Sequence, residues 1–530
     1  MTAANTLTAL LAGGAADRPA IRAPERPTLS YAGLRALAER TVAGLNAIGI
    51  GRSDRVAIVL PNGPEMAASF VAIACGATTA PLNPAYKDEE FEFYLTDLKA
   101  KALVVLQGWE TPARAVAQRL GVPVVELVPG EAAGDFTLAG GSKGSAAQPG
   151  QAGPDDVALV LHTSGTTARP KIVPLTHTNV TASAGNIART LRLGQDDACL
   201  NVMPLFHIHG LMAATLASLA GGGAVICTPG FNALRFFALL DAERPSWYTA
   251  VPTMHQTILA RAERNAEIIA RAPLRFIRSS SASLPAQAMK DLSAVFSAPV
   301  IESYGMTEAS HQMCSNPLPP GAQKPGIVGL PAGPEVAIMD DDGNILSQGS
   351  IGEVVIRGPN VTKGYEANPE ANAKAFTKGW FRTGDQGMFD RDGYLMLTGR
   401  LKELIKRGGE QVSPLEVDGV LSEHPAVAQA LTFGIPHPML GEEVGAAVVL
   451  REGMTVTDRE AARLRSEAPG RLQGAAKGCL PGGDPEGRDR QADADRPGRE
   501  ARHHGLRAGR SDRGAPQRSE ERSVNRNAQS

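Results

Sequence analysis

Apolar positions along the first 130 residues follow two alternating periods. Between residues 31 and 48, Leu34, Leu37, Ala38, Val42, Leu45 and Ile48 fall three and four apart, the spacing of one helix face. RVAIVLPNG, from Arg55, is instead an unbroken apolar run closed by turn residues, as a strand buried on both faces would be. The alternation continues with EMAASFVAIACGA as helix, TTAPLN as an extended segment, FEFYLTDLKA as helix, and KALVVL and PVVELV as strands. This pattern predicts an α/β fold of parallel or mixed sheets covered by helices. Residues 130–154, rich in Gly, Ala and Ser, read as a flexible surface connection, after which DDVALVLHT predicts a strand running into a Gly/Thr loop.

From Gly352 the pattern turns to short strands, GEVVIRG and GYLMLTG, separated by turn signals such as DDG and RDG. A block beginning LKELIKRGGEQVSP then carries a helix and a strand of its own. After about Asp458 the apolar periodicity stops. Residues 461–530 contain no Phe, Tyr, Trp, Ile or Met and a single Lys. Such a composition buries too little surface to offset the entropy of ordering. The expected organisation is a large N-terminal domain over residues 1–400, with mixed sheets, helices and a small β-rich subdomain. A small, truncated C-terminal α+β domain follows over 401–460, and then a disordered tail over 461–530.

Charge changes the picture only locally. The 53 basic and 55 acidic residues give a net −2. Residues 461–530 hold 15 of the basic and 10 of the acidic ones, which leaves −7 for the remainder. Nothing global favours a nucleic-acid partner or a membrane surface. Cys75, Cys199, Cys227, Cys314 and Cys479 lack metal-ligand or paired spacing, which fits a reducing cytoplasm. The apolar segment 211–227 is broken by Gly221, Gly222 and Gly223, so it predicts a core helix entering a strand rather than a membrane span.

Candidate chemistry begins in TSGTTARPK, residues 163–171. Small and hydroxyl residues let backbone N–H groups close around phosphate oxygens, and Lys171 adds charge. The stretch is not a Walker A motif, which needs GxxxxGK followed by Ser or Thr. Downstream stand SYGMTEASH, GWFRTGD and GRLKELIKRGGEQVSP, in that order. In these motifs the chain resembles the adenylate-forming acyl-CoA synthetase superfamily, from about residue 10 to about residue 458. PLFHIHG, WYTAVPTMHQ, LRFIRSSSASL, MTEASHQMCSNPLP and RGPNVTKGY resemble most closely the oxalyl-CoA synthetases (oxalate-CoA ligases) within it.

The resemblance implies a two-step reaction. A carboxylate and ATP form an acyl-adenylate and pyrophosphate, and the thiol of coenzyme A then displaces AMP. It places Thr163, Ser164, Gly165, Thr166, Thr167 and Lys171 around the phosphates. Tyr304, Gly305, Met306 and Thr307 would lie against the nucleotide, with Tyr304 offering a face to adenine. Glu308 would hold Mg²⁺, Asp385 would accept both ribose hydroxyls, and Arg400 would add a ribose or phosphate contact at the hinge. Lys171, Thr307, Glu308 and Lys402 are the expected catalytic residues. Gly408 and Gly409 would leave room for the pantetheine arm. For the acid, Ser279, Ser281, His207, His209 and His311 suit a small dianion such as oxalate better than an apolar chain. A medium-chain or aromatic acid, or a non-catalytic nucleotide-binding role, stays open. So does the oligomeric state.

Two features depart from the family pattern. Ala168 and Ile172 stand where the phosphate loop SGTTGxPKG has glycines. The segment resembling FKVP and the following PKxxxGK, whose last lysine reaches the α-phosphate, are both missing. Codons can be chosen for residues 470–491, GRLQGAAKGCLPGGDPEGRDRQ, so that a one-nucleotide offset reads ADFKVPRKVVFLAEIPKGATGK. The tail is therefore read as an out-of-frame translation, and impaired adenylation is expected of the chain as written.

Overall fold

The computed structural model describes residues 4–163, 170–422, 424–451 and 453–455. The expected disordered tail, the truncation of the C-terminal domain and loop residues 164–169 lie outside them. The fold is α/β, with a large N-terminal domain and a small C-terminal one.

Two mixed sheets form the large domain. One has seven strands, with Val124–Pro129, Ala102–Leu106, Arg55–Val59, Thr78–Pro81 and Val157–Thr163 parallel and side by side. Lys171–Thr176 closes one edge antiparallel to Val157–Thr163. The other sheet has nine strands. Its parallel centre runs Ala224–Cys227, Ala198–Asn201, Trp247–Ala250, Phe276–Ser279 and Val300–Met306, and His311–Ser315 folds back antiparallel beside the last of these.

Each expected helix of the first hundred residues forms. Ser30 caps the helix Tyr31–Ala47 by accepting from Gly33 N at 3.2 Å, and Tyr31, Leu34, Leu37, Val42 and Leu45 are buried beneath it. Every residue of Pro64–Ala74 except the half-buried Glu65 is buried, as a helix set inside a core requires. The segment from 211 is a core helix entering the strand Ala224–Cys227, as expected. Its first part, His209–Leu216, is a π-helix with every residue buried. No helix among the described residues is long and apolar enough to cross a membrane.

The connection 130–154 corrects one expectation. Phe136–Gly140 is a strand, paired antiparallel to Val124–Pro129, because Phe136 anchors it in the core at 1 % exposure. The helix Pro112–Leu120 was not foreseen either. Its apolar face is only Ala113, Val116 and Ala117, and Thr111 caps it.

The β-rich subdomain is a five-stranded antiparallel sheet ending in Leu395–Arg400. Ile405–Arg407 already belongs to a separate four-stranded sheet with Glu410–Val412, Val427–His437 and Gly441–Leu450. The helix Pro414–Ser422 packs on that sheet through Val417 and Leu421, against Ile405, Val412 and Val444. Leu395–Arg400 and Ile405–Arg407 thus stand in different sheets, with residues 401–404 linking them.

Candidate active site

A hairpin holds the ends of the hydroxyl-rich loop. Thr163 closes one strand, Lys171 opens the next, and the two are paired in register. Ser164, Gly165, Thr166 and Thr167 lie outside the described residues. The Lys171 ammonium stands 4.4 Å from the centroid of the Tyr365 ring. Burial lowers its pKa, while the Glu308 carboxylate opposes that and the Lys402 ammonium adds to it. Lys402, from the segment after Arg400, is therefore close enough to act on Lys171.

Glu308 sits in the short 3-10 turn Thr307–Ala309, directly after the strand Val300–Met306. Its side chain is buried, and Oε1 accepts from the Tyr365 hydroxyl at 2.8 Å. Tyr365 thus touches both Lys171 and Glu308, a role that reasoning from sequence did not assign. The backbone here is tightly specified. A Cβ on Gly305 would lie 1.9 Å from the His311 carbonyl oxygen, so only glycine fits. Ser310 and His311 both adopt positive φ, 49° and 96°. Consecutive non-glycine residues in that region store strain of the kind found at ligand sites.

Asp385 and Arg400 face each other across paired strands, with Arg400 Nε 3.1 Å from Asp385 Oδ1. The Tyr304 hydroxyl donates to Asp385 Oδ2. Both Tyr304 and Asp385 are buried, whereas Arg400 is exposed, and burial raises the Asp385 pKa. Tyr304, Met306, Thr307 and Glu308 therefore share one strand end and turn, and Tyr304 joins this segment to Asp385. Gly408 and Gly409 form the exposed two-residue turn between Ile405–Arg407 and Glu410–Val412, with φ of 59° and 93°. Those angles demand glycine on turn grounds alone.

A second cluster lies under the π-helix. His209 Nδ1 is 3.0 Å from Ser281 Oγ, and its Nε2 is 2.6 Å from Thr249 Oγ1. The His311 ring stands edge-on to it, with centroids 5.2 Å apart. His207 Nδ1 accepts from His209 N at 3.3 Å. Burial holds both His209 and His311 well below the usual histidine range, and the Arg278 charge adds to the shift in each. Both rings are therefore neutral at pH 7. The structure brings His207, His209, His311 and Ser281 together. Ser279 is not brought to them. Its strand alternates, so Arg278 and Ser279 point to opposite faces of the sheet. Sequence reasoning passed over Arg278, although an arginine between Ile277 and Ser279 in a buried apolar strand was the visible signal.

No group of three or more His, Cys, Asp and Glu that could hold a metal occurs among the described residues. Glu308, a buried carboxylate whose charge acts on the Lys171 ammonium, is a group that could hold Mg²⁺. That ion keeps several waters and is held by one or two carboxylates together with substrate phosphates. A cleft of about 470 Å³, lined by Arg26, Asn62, Phe231 and Arg235 among others, shares no residue with either cluster.

Comparison with known proteins adds names to this arrangement. A family model described as AMP-binding enzyme matches residues 11–366, and one described as AMP-binding enzyme C-terminal domain matches residues 416–477. The chain is 47 % identical over 453 residues to an oxalate–CoA ligase of Arabidopsis thaliana, covering 84 % of this chain and 88 % of that one. Among solved structures it resembles ATP-bound MatB from Rhodopseudomonas palustris, with a TM-score of 0.80 and 30 % identity over 89 % of this chain and 94 % of that one. It also resembles the o-succinylbenzoate coenzyme A synthetase of Bacillus subtilis in complex with ATP and magnesium ion. There the TM-score is 0.75 and the identity 27 %, over 89 % of this chain and 95 % of that one.

Proposed function

The chain belongs to the AMP-binding, adenylate-forming acyl-CoA ligases, AMP-forming acid–thiol ligases that use ATP, and from that premise we propose that the acid it activates is oxalate. The observation that carries this reading is the small polar cluster of His209, His311 and Ser281 beneath the π-helix, with the Arg278 charge beside it. An alkyl or aromatic acid lodged there would leave buried polar groups unpaired. A compact acid with oxygens at both ends would pair them. The likeness to the plant oxalate–CoA ligase supports the same acid.

In this reading an oxalate oxygen attacks the α-phosphorus of ATP, the bond to the β-phosphate oxygen breaks, and pyrophosphate leaves. Lys171 offsets the charge that develops on the phosphates, and Glu308 would hold Mg²⁺, which when bound would supply further positive charge there. Asp385 and Arg400 hold the ribose, and Tyr304 presents its ring to adenine. The small domain brings the Gly408–Gly409 turn to the pantetheine arm. The thiolate sulfur then attacks the carbonyl carbon of the adenylate and AMP departs. Oxalate needs such help because two adjacent carboxylates make a weak nucleophile that the triphosphate repels.

The finer reading of the tail is that adenylation by the chain as written is slow, since the family's terminal lysine is absent from residues 461–530. Turnover is therefore best measured both on this chain and on one whose residues 470–491 are replaced by ADFKVPRKVVFLAEIPKGATGK. Each is incubated with ATP, Mg²⁺, CoA and oxalate, malonate, octanoate or 4-coumarate, and acyl-CoA and pyrophosphate are quantified. Oxalate is expected to lead in kcat/KM by about tenfold or more. A lead for octanoate or 4-coumarate overturns the reading, and so does ATP binding without product from any acid in both chains.

A further inference from the structure

We infer that Arg278 selects a dianionic acid, its guanidinium taking, together with the His209–His311 pair, the carboxylate that does not react. The inference rests on the proposed oxalate site and names its specificity-determining residue. Arg278 lies in the strand Phe276–Ser279 and is fully enclosed, at 0 % exposure. Buried arginines are ordinarily matched by a carboxylate or by several carbonyls. Here Nε and Nη1 have no hydrogen-bond partner, and Nη2 makes a long 3.4 Å contact with Gln312 Oε1. No described carboxylate forms an ion pair with it. Glu302, on the neighbouring strand, pairs in register with Ser279 and accepts from Leu284 N instead.

Position makes this unmatched charge useful. Arg278 pairs in register with Thr249, so the two side chains share one face of the sheet, and the Thr249 hydroxyl is the group bound to His209 Nε2. Arg278 therefore faces the cluster that holds His209, Ser281 and His311. Burial lowers its pKa only to about 9, so it stays cationic at neutral pH beside two neutral imidazoles. Gln312 steadies the guanidinium, its own amide donating to the Ala332 carbonyl at 3.0 Å. An arriving carboxylate would supply both the missing charge and the missing acceptors. A monocarboxylate of the same size would leave them unmet, which is a strong basis for rejection.

The test is calorimetric titration of the full chain, wild type, Arg278→Gln and Arg278→Lys, with oxalate, glycolate and MgATP. Arg278→Gln is expected to weaken oxalate on the order of 100-fold, with Arg278→Lys between it and wild type. Glycolate and MgATP binding should each change by less than about threefold, since neither fills the second-carboxylate position. Unaltered oxalate binding in Arg278→Gln, or equal losses for oxalate and glycolate, overturns the inference while leaving the oxalate reading intact. Loss of MgATP binding in both variants would make Arg278 a structural residue and overturn it equally. If wild type does not bind oxalate, the oxalate reading fails alone. Malonate and acetate are then compared, and Arg278 keeps its role only if wild type prefers the dianion and Arg278→Gln does not. A wild type without that preference overturns both.

Discussion

Tyr365, the last residue of RGPNVTKGY, shows how much of a site can rest on one side chain to which sequence reasoning assigned no role. Its ring lies under the Lys171 ammonium, and its hydroxyl donates to Glu308. One residue thereby contacts both the cation proposed to face the phosphates and the carboxylate proposed to hold Mg²⁺. Tyr365→Phe keeps the ring and removes the donation, so Lys171 keeps its cation–π contact while Glu308 loses its orienting partner. A hydrogen bond to a charged group is worth about 1.5–3 kcal/mol. The variant should therefore lose on the order of tenfold in kcat/KM for ATP, and excess Mg²⁺ should restore part of the loss. Pyrophosphate release titrated against Mg²⁺ checks this. A Mg²⁺ dependence identical to wild type would mean that Tyr365 does not position Glu308.

At the scale of elements, the hairpin of Val300–Met306 and His311–Ser315 carries Tyr304, Glu308 and His311 on one short loop of chain. Gly305 permits its tight closure. Gly305→Ala must push the strands apart, because its Cβ would meet a backbone oxygen and not a movable side chain. It should cost about 2–4 kcal/mol of stability in urea unfolding. Gly419→Ala, in the helix Pro414–Ser422 where an added Cβ meets nothing within 4 Å, should be neutral or stabilising by about 0.5–1 kcal/mol. Elements with strong periodicity or unbroken apolar runs, such as Tyr31–Ala47 and Arg55–Val59, were legible in the sequence. Phe136–Gly140 was not, because its burial depends on a partner strand that local composition does not announce. The residues expected on the ATP side were proposed from ordered motifs. The Thr249–His209–Ser281 contact was not legible, since it joins the Trp247–Ala250 strand, the start of the π-helix and the loop after Phe276–Ser279, which only the sheet order brings together. Arg278 and Ser279 are adjacent in sequence yet face opposite sides, a distinction that needs the strand boundaries.

For the whole molecule, the proposed adenylation draws on charge from residues beyond Arg400 as well as from Lys171. The Lys402 ammonium lowers the Lys171 pKa, so positive charge from beyond Arg400 already acts on Lys171. The family resemblance calls for one more lysine, at the end of a PKxxxGK segment that residues 461–530 do not contain. Replacing residues 470–491 by the offset reading ADFKVPRKVVFLAEIPKGATGK supplies it. Removing a preorganised donor of this kind costs about 10²–10³ in rate, so the replacement should raise adenylation by a comparable factor. The two half-reactions separate the effect. Acyl transfer from preformed oxalyl-adenylate to CoA is proposed to use the Gly408–Gly409 turn and not that lysine, so it should change far less than ATP-dependent pyrophosphate release. Equal gains in both would show that the replaced segment merely completes the fold of the small domain. No gain in either would show that Lys402 suffices and that the segment is dispensable.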